Sequence, residues 1–225
     1  MKKLLFWMVL IVGIVALIGS CAKKDDDTAA TADNATTTEA TFTSTTTAAG
    51  SITVGSVAMS GVYASACNTT GVAAAVTAGY FPSDIKANRD VLVVTGNDNI
   101  SEESHFYTDT TCSTLSASLK DGNDNFTVGD ASGEFYKVTY KETGFKIKAG
   151  TTVAETYWEN YFSTNSITNQ VGSAVDLVVD TEYDLGGDNS SKMNLFRVTS
   201  TQVQHAQGQT SSYPTQMDSL VMTKQ

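Results

Sequence analysis

For residues 51–225 the sequence predicts an all-β fold, an antiparallel barrel or sandwich of eight to ten short strands. Three observations lead there. Apolar and polar side chains alternate with period two over several stretches, turn formers separate those stretches, and helix signals are few.

Taken in chain order, residues 61–67 fit a strand, as do residues 90–95. Asn97-Asp98-Asn99 is rich in turn formers, and residues 100–107 read as the return strand. Leu115, Ala117 and Leu119 alternate with serines up to an expected turn at Asp121-Gly122-Asn123. Between 135 and 149 the pattern is clearest. Tyr136, Val138 and Tyr140 share one face, while Phe145, Ile147 and Ala149 follow Glu142-Thr143-Gly144, which reads as a hairpin turn. Lys137, Lys141, Lys146 and Lys148 then share the outer, solvated face. Residues 151–188 fit two periods. Val153, Tyr157 and Tyr161 have helical spacing, but a strand also fits and the aromatic content leans that way, with a longer loop expected over 163–174. Residues 194–206 and 218–223 supply the last strands. The loop from Asn68 to Asn88, rich in Ala, Gly and Thr, suggests mobility.

The N-terminus carries an address. Lys2 and Lys3 precede an apolar run from Leu4 to Ile18, too short for the roughly 20 residues that cross a bilayer as a helix. Ile18-Gly19-Ser20-Cys21 resembles the lipobox of bacterial lipoproteins. That resemblance implies a signal peptide over 1–20, cleavage before Cys21 and lipid on its sulfur, so that the membrane partner is reached through the lipid. Several acyl chains, at about 0.8 kcal/mol per buried methylene, would anchor the chain stably. Ala22 after the cysteine leans towards the outer membrane, and Lys24-Asp25-Asp26-Asp27 is similar to the surface-export signal of lipoproteins in the Bacteroidetes lineage. The expected location is the cell envelope, as an outer-membrane lipoprotein on the periplasmic face or the cell surface. Residues 21–50, mostly Ala and Thr with scattered acids, cannot bury enough surface to order themselves and read as a disordered tether. About 29 such residues reach roughly 30 Å.

Without residues 1–20 the chain has 12 basic residues against 24 acidic ones, a net charge of −12. Such a chain is a poor candidate for nucleic acid or for docking onto anionic lipid by charge. Cys67 and Cys112 are the two cysteines left for the folded part. An even pair beyond the cytoplasmic membrane suggests a disulfide; zinc, the rival reading, lacks further ligands in the sequence.

Gly61-Val62-Tyr63, the cysteine at that strand's end, Tyr107-Thr108-Asp109-Thr110-Thr111-Cys112 and the closing Tyr213-Pro214-Thr215 together resemble bacterial lipoproteins with a lipocalin-like barrel. The resemblance covers most of residues 57–225 and implies an antiparallel barrel with a disulfide between its two cysteines. No catalytic motif is present. Gly129-Asp130-Ala131-Ser132-Gly133 reads as a β-turn rather than a nucleophile loop, and residues 121–125 lack the glycine and the final glutamate of a calcium loop. No enzyme, cofactor or metal is expected, and a monomer is. A small, partly apolar ligand held in the barrel is the leading expectation, with Tyr63, Tyr136, Tyr140 and Trp158 as candidate pocket residues. The rival is an interaction or structural lipoprotein whose barrel is filled by its own side chains.

Overall fold

A computed structural model describes residues 42–218 and 220–225; Cys21, the signal peptide and most of the expected tether lie outside the described residues. A short hairpin, β1 (Ile52–Val54) and β2 (Val57–Met59), precedes the main sheet. The sheet contains β3 (Val62–Ala64), β4 (Ala87–Val94), β5 (Ile100–Tyr107), β6 (Leu115–Ser132), β7 (Phe135–Ala149), β8 (Glu182–Asp184), β9 (Ser191–Val198), β10 (Gln202–His205) and β11 (Met222–Lys224). Every pairing is antiparallel. Each strand pairs with the next in the chain apart from β8, and β11 returns to β3, so eight strands close into an up-and-down barrel with β8 as an extra strand beside β7.

The longest strands depart from the expected turns. β6 runs straight through Asp121-Gly122-Asn123, and β7 through Glu142-Thr143-Gly144. The hairpin lies instead at Gly133-Glu134, where Ser132 pairs with Phe135 and Gly133 has φ of +66°. A two-residue loop with glycine first and a positive φ suits the twist of antiparallel strands. What changes at 142–144 is phase. Glu142 faces Asn123 and Gly144 faces Gly122, so β7 spends an extra residue, a bulge, over one step of β6. Tyr136, Val138 and Tyr140 before it, and Phe145, Ile147 and Ala149 after it, therefore all point inward, and the four lysines stay outside. A second irregularity, on β6 around Asn125 (φ +55°), lets Phe126 turn inward.

Among the described residues two helices decorate the barrel, α1 (Val72–Thr77) and α2 (Thr152–Thr164). The first lies in the segment expected to be a mobile loop, and it buries Val72 and Ala75. The second corrects the strand reading of 151–162. Thr151 caps it by accepting a hydrogen bond from the Ala154 amide (3.1 Å), and Ala154, Trp158 and Phe162 recur at four-residue spacing on its buried side. Helical periodicity wins because that face meets Ile147, Ala149 and Leu177 in one apolar cluster.

Packing divides the barrel into zones. One end is plugged by an apolar cluster in which Ile52, Val54 and Met59 of the β1–β2 hairpin meet Tyr63, Leu92 and Phe196. The cluster under the helices joins Phe106 and Leu119 to Trp158 and Phe162. Cys67 and Cys112 form a disulfide, with Cα atoms 5.8 Å apart. Residues 42–49, the end of the segment read as tether, lie along the outside of the wall. Phe42 packs with Val91 and Val93, and the Ala49 amide donates to the Val94 carbonyl (2.9 Å).

Candidate functional site

Between the apolar zones the inner face turns polar. On β4, Asp90 follows the inward phase of Leu92 and Val94; on β5, Glu102 and Ser104 lie between Ile100 and Phe106. On β6, Asp121 and Asn123 continue the phase of Ala117 and Leu119, and on β7 Glu142 continues that of Val138 and Tyr140. The neighbouring register, with Glu102 opposite Asp121 and Asn123 opposite Glu142, brings these groups into one belt.

The belt encloses a cavity of about 730 Å³. Lys192 and His205 complete its wall, and the segment from Ala206 to Met222 contributes Met217, Asp218 and Leu220. Its rim includes Ala66, Thr70 and Val221, all solvent-exposed, and Cys67 of the disulfide also lies on the lining. The disulfide thus ties the mouth to the segment that links β5 with β6.

Six acidic residues border this space; Glu103 turns its carboxyl to His105 and Thr46, and Asp90, Glu102, Asp121, Glu142 and Asp218 stand against one lysine and one histidine among the described residues. Some have partners. Ser104 donates to Asp90 (2.8 Å), Lys192 pairs with Glu142 (3.0 Å), and Asn123 Nδ2 donates to one oxygen of Glu102 (3.3 Å). The other Glu102 oxygen has no hydrogen-bond partner. His205 Nδ1 lies 3.7 Å from it but contacts the Ala206 carbonyl at 2.8 Å. Asp121 has no side-chain hydrogen bond or ion pair among the described residues.

Burial is the main reason four of these acids, Asp90, Asp121, Glu142 and Asp218, resist ionising. It pushes Asp121 well above the usual carboxylate range, with the charges of Glu142 and Glu102 adding to it and Lys192 opposing. It also raises Asp90 against the Ser104 hydrogen bond, Glu142 against Lys192, and Asp218 against His205. Tyr140 is held protonated chiefly by burial, and its hydroxyl accepts a hydrogen bond from Asn194 (3.2 Å). A chamber open at one side, negatively biased and with apolar neighbours such as Phe106 and Met222, is suited to binding.

Of the four aromatic side chains expected in a pocket, only Tyr140 lines the cavity. Tyr63 is fully buried in the plugged end. Tyr136 lies against the β1–β2 turn at Gly55, where a Cβ would fall 2.3 Å from the tyrosine oxygen. Trp158 is sealed in the cluster beneath α2. Residue type alone pointed to aromatics. The four missed acids on strands, Asp90, Glu102, Asp121 and Glu142, carried a different signal, since each stands in phase with the apolar face of its strand, where a solvated carboxylate is out of place.

The outer wall holds a separate polar group. Glu103 and His105 are buried beneath the strap of residues 42–49, with His105 Nε2 2.7 Å from Glu103 Oε2. Thr46 also donates to Glu103, and the Phe42 ring packs edge-on against His105. Burial works against the Glu103 charge, but the hydrogen bonds from His105 and Thr46 outweigh it and hold the carboxyl below its usual range. These groups satisfy one another and face away from the barrel interior.

No protein-family model matches the chain, and no curated protein matches it.

Proposed function

We propose that this chain is a bacterial cell-envelope lipoprotein whose lipocalin-like barrel holds a small, partly apolar molecule. The observation that carries the binding reading is the interior cavity of about 730 Å³, within the roughly 300–1,000 Å³ usual for small-molecule sites. A barrel serving only as an interaction surface has no use for so much unfilled interior. Phe106, Tyr140 and Met222 supply apolar contact, and the disulfide at Cys67 steadies the rim.

Native mass spectrometry of the purified chain tests the binding reading. A retained non-lipid mass that is lost on unfolding is expected; a bare polypeptide that also takes up no small molecule from an extract would overturn it. Anchoring rests on the lipobox-like Ile18-Gly19-Ser20-Cys21. Incorporation of an alkyne-tagged palmitate that disappears in Cys21→Ser is the expected result, and labelling that survives the substitution counts against it.

A further inference from the structure

The lining of the cavity says which charge its occupant carries. Five carboxyl groups face it, and Lys192, the one lysine on the lining among the described residues, is already committed to Glu142 at 3.0 Å. Two acceptors are left over among the described residues: the Asp121 carboxyl, without a side-chain partner, and one buried oxygen of Glu102, which makes no hydrogen bond and has only the His205 imidazole 3.7 Å away, itself against the Ala206 carbonyl. Asp121 and Glu102 sit on paired strands at the same register position, so both can serve one guest. An uncompensated buried acceptor costs about 1–3 kcal/mol, more when charged, and a guest that donates hydrogen bonds recovers that cost.

We propose that the cavity selects an organic cation, a molecule with a protonated amine head and a compact apolar body. This rests on the reading of the cavity as a binding site and narrows it. The ammonium lies between Asp121 and Glu102 and favours the ionised form of Asp121, whose proton passes to solvent, so that its N–H groups donate to two carboxylates, while the body lies towards Phe106, Met217 and Leu220. A fatty acid would bring a further negative charge beside these acids. A neutral alcohol could donate only one hydrogen bond and would leave the charge unbalanced. The ammonium loses hydration on entry, but the acids have already lost much of theirs, so contact with two carboxylates at once offsets that cost in a way that one exposed pairing at a surface does not.

Calorimetric titration of the full mature chain in nanodiscs of neutral phosphatidylcholine tests this, with empty nanodiscs as blank. The probes are 2-phenylethylamine, 2-phenylethanol and 3-phenylpropionate, which share a ring and differ in head group. At pH 7 the amine should bind at least about tenfold tighter than the alcohol, with the carboxylate weakest. In the double variant Asp121→Asn, Glu102→Gln, which keeps the shape of both side chains, that preference should vanish while alcohol binding stays. A thermal melt confirms that the variant is folded. Equal binding of amine and alcohol, or a preference for the carboxylate, overturns the charge selection and leaves the cavity as a binding site. Failure of all three probes to bind overturns both. An amine preference that survives the double variant overturns the placement between Asp121 and Glu102.

Discussion

Lys192 Nζ lies 3.0 Å from Glu142 Oε2, while Asp121 on the adjoining strand has no cation of its own among the described residues. Two acids thus compete for one ammonium, and the loser is pushed towards its neutral form by burial and by the charge of its neighbours. The belt of acids is therefore under electrostatic tension.

Neutralising the unpaired acid should relieve it. Asp121→Asn is expected to raise the melting temperature of the ligand-free chain at pH 7 by roughly 2–4 °C, the size of shift that about 1 kcal/mol produces in a chain of this length. Differential scanning calorimetry reads this directly, and a lower melting temperature would mean that Asp121 is needed in its charged form.

Acid should have a related effect, followed by a reversal. Asp90, Asp121, Glu142 and Asp218 have folded-state pKa values above their ordinary ones, so in that window the native state holds more protons than the unfolded chain. Stability then falls as pH rises through the window. Glu103 is depressed, so its contribution is present above the ordinary carboxylate range and disappears as pH falls through its folded value. Melting temperature should climb as pH falls from neutrality towards the ordinary carboxylate values near about 4, and drop below them as Glu103 takes up its proton. No climb anywhere between neutrality and about pH 4 would show that Asp90, Asp121, Glu142 and Asp218 ionise as they do in the unfolded chain.

Breaking the disulfide should cost much more. The bond spans a sequence separation of 45, and releasing a loop of that size destabilises the fold by about 4 kcal/mol in the chain-entropy model. The double variant Cys67→Ser, Cys112→Ser, unfolded in urea, measures this loss. Because Cys67 lies on the cavity lining, amine binding should weaken as well.

Trp158 separates core from pocket. Trp158→Ala removes a fully buried side chain and should lower stability by about 3–5 kcal/mol. Where the variant remains folded, its affinity for 2-phenylethylamine should match that of the unaltered chain, since the indole lies outside the cavity. A parallel loss of affinity would place the indole in the site after all.

The strap can be tested from outside. Phe42→Ala uncovers His105, and Thr46→Ala deprives Glu103 of a donor. Faster hydrogen exchange along β5 is expected in both, with cavity binding unchanged. Protection equal to that of the unaltered chain would show that the strap adds no stability.

The barrel was legible in the sequence because period two survives every local ambiguity. Residues 100–107 coincide with β5, and the alternation before and after 142–144 assigned each side chain to its true face. Its cause was misread, since a change of phase looks the same in sequence whether the chain reverses or bulges. The helix over 152–164 was hidden because Tyr157 and Tyr161 satisfy both periods, and only packing against Ile147 and Leu177 decides between them. The cavity was less legible still. Its acids come from separate strands, and no local pattern says that Asp90, Glu102, Asp121 and Glu142 meet. The informative hint was each acid's phase.

The bulge at Glu142-Thr143-Gly144 also fixes where this protein can tolerate a change in length. Losing Thr143 would yield a regular strand in which Phe145, Ile147 and Ala149 keep their inward aim. Losing Ile147 would turn a lysine towards the apolar interior whichever way the strand re-registers. A single-codon deletion is therefore nearly silent at one site and ruinous four residues later, and among related chains gaps in this strand should collect at the bulge.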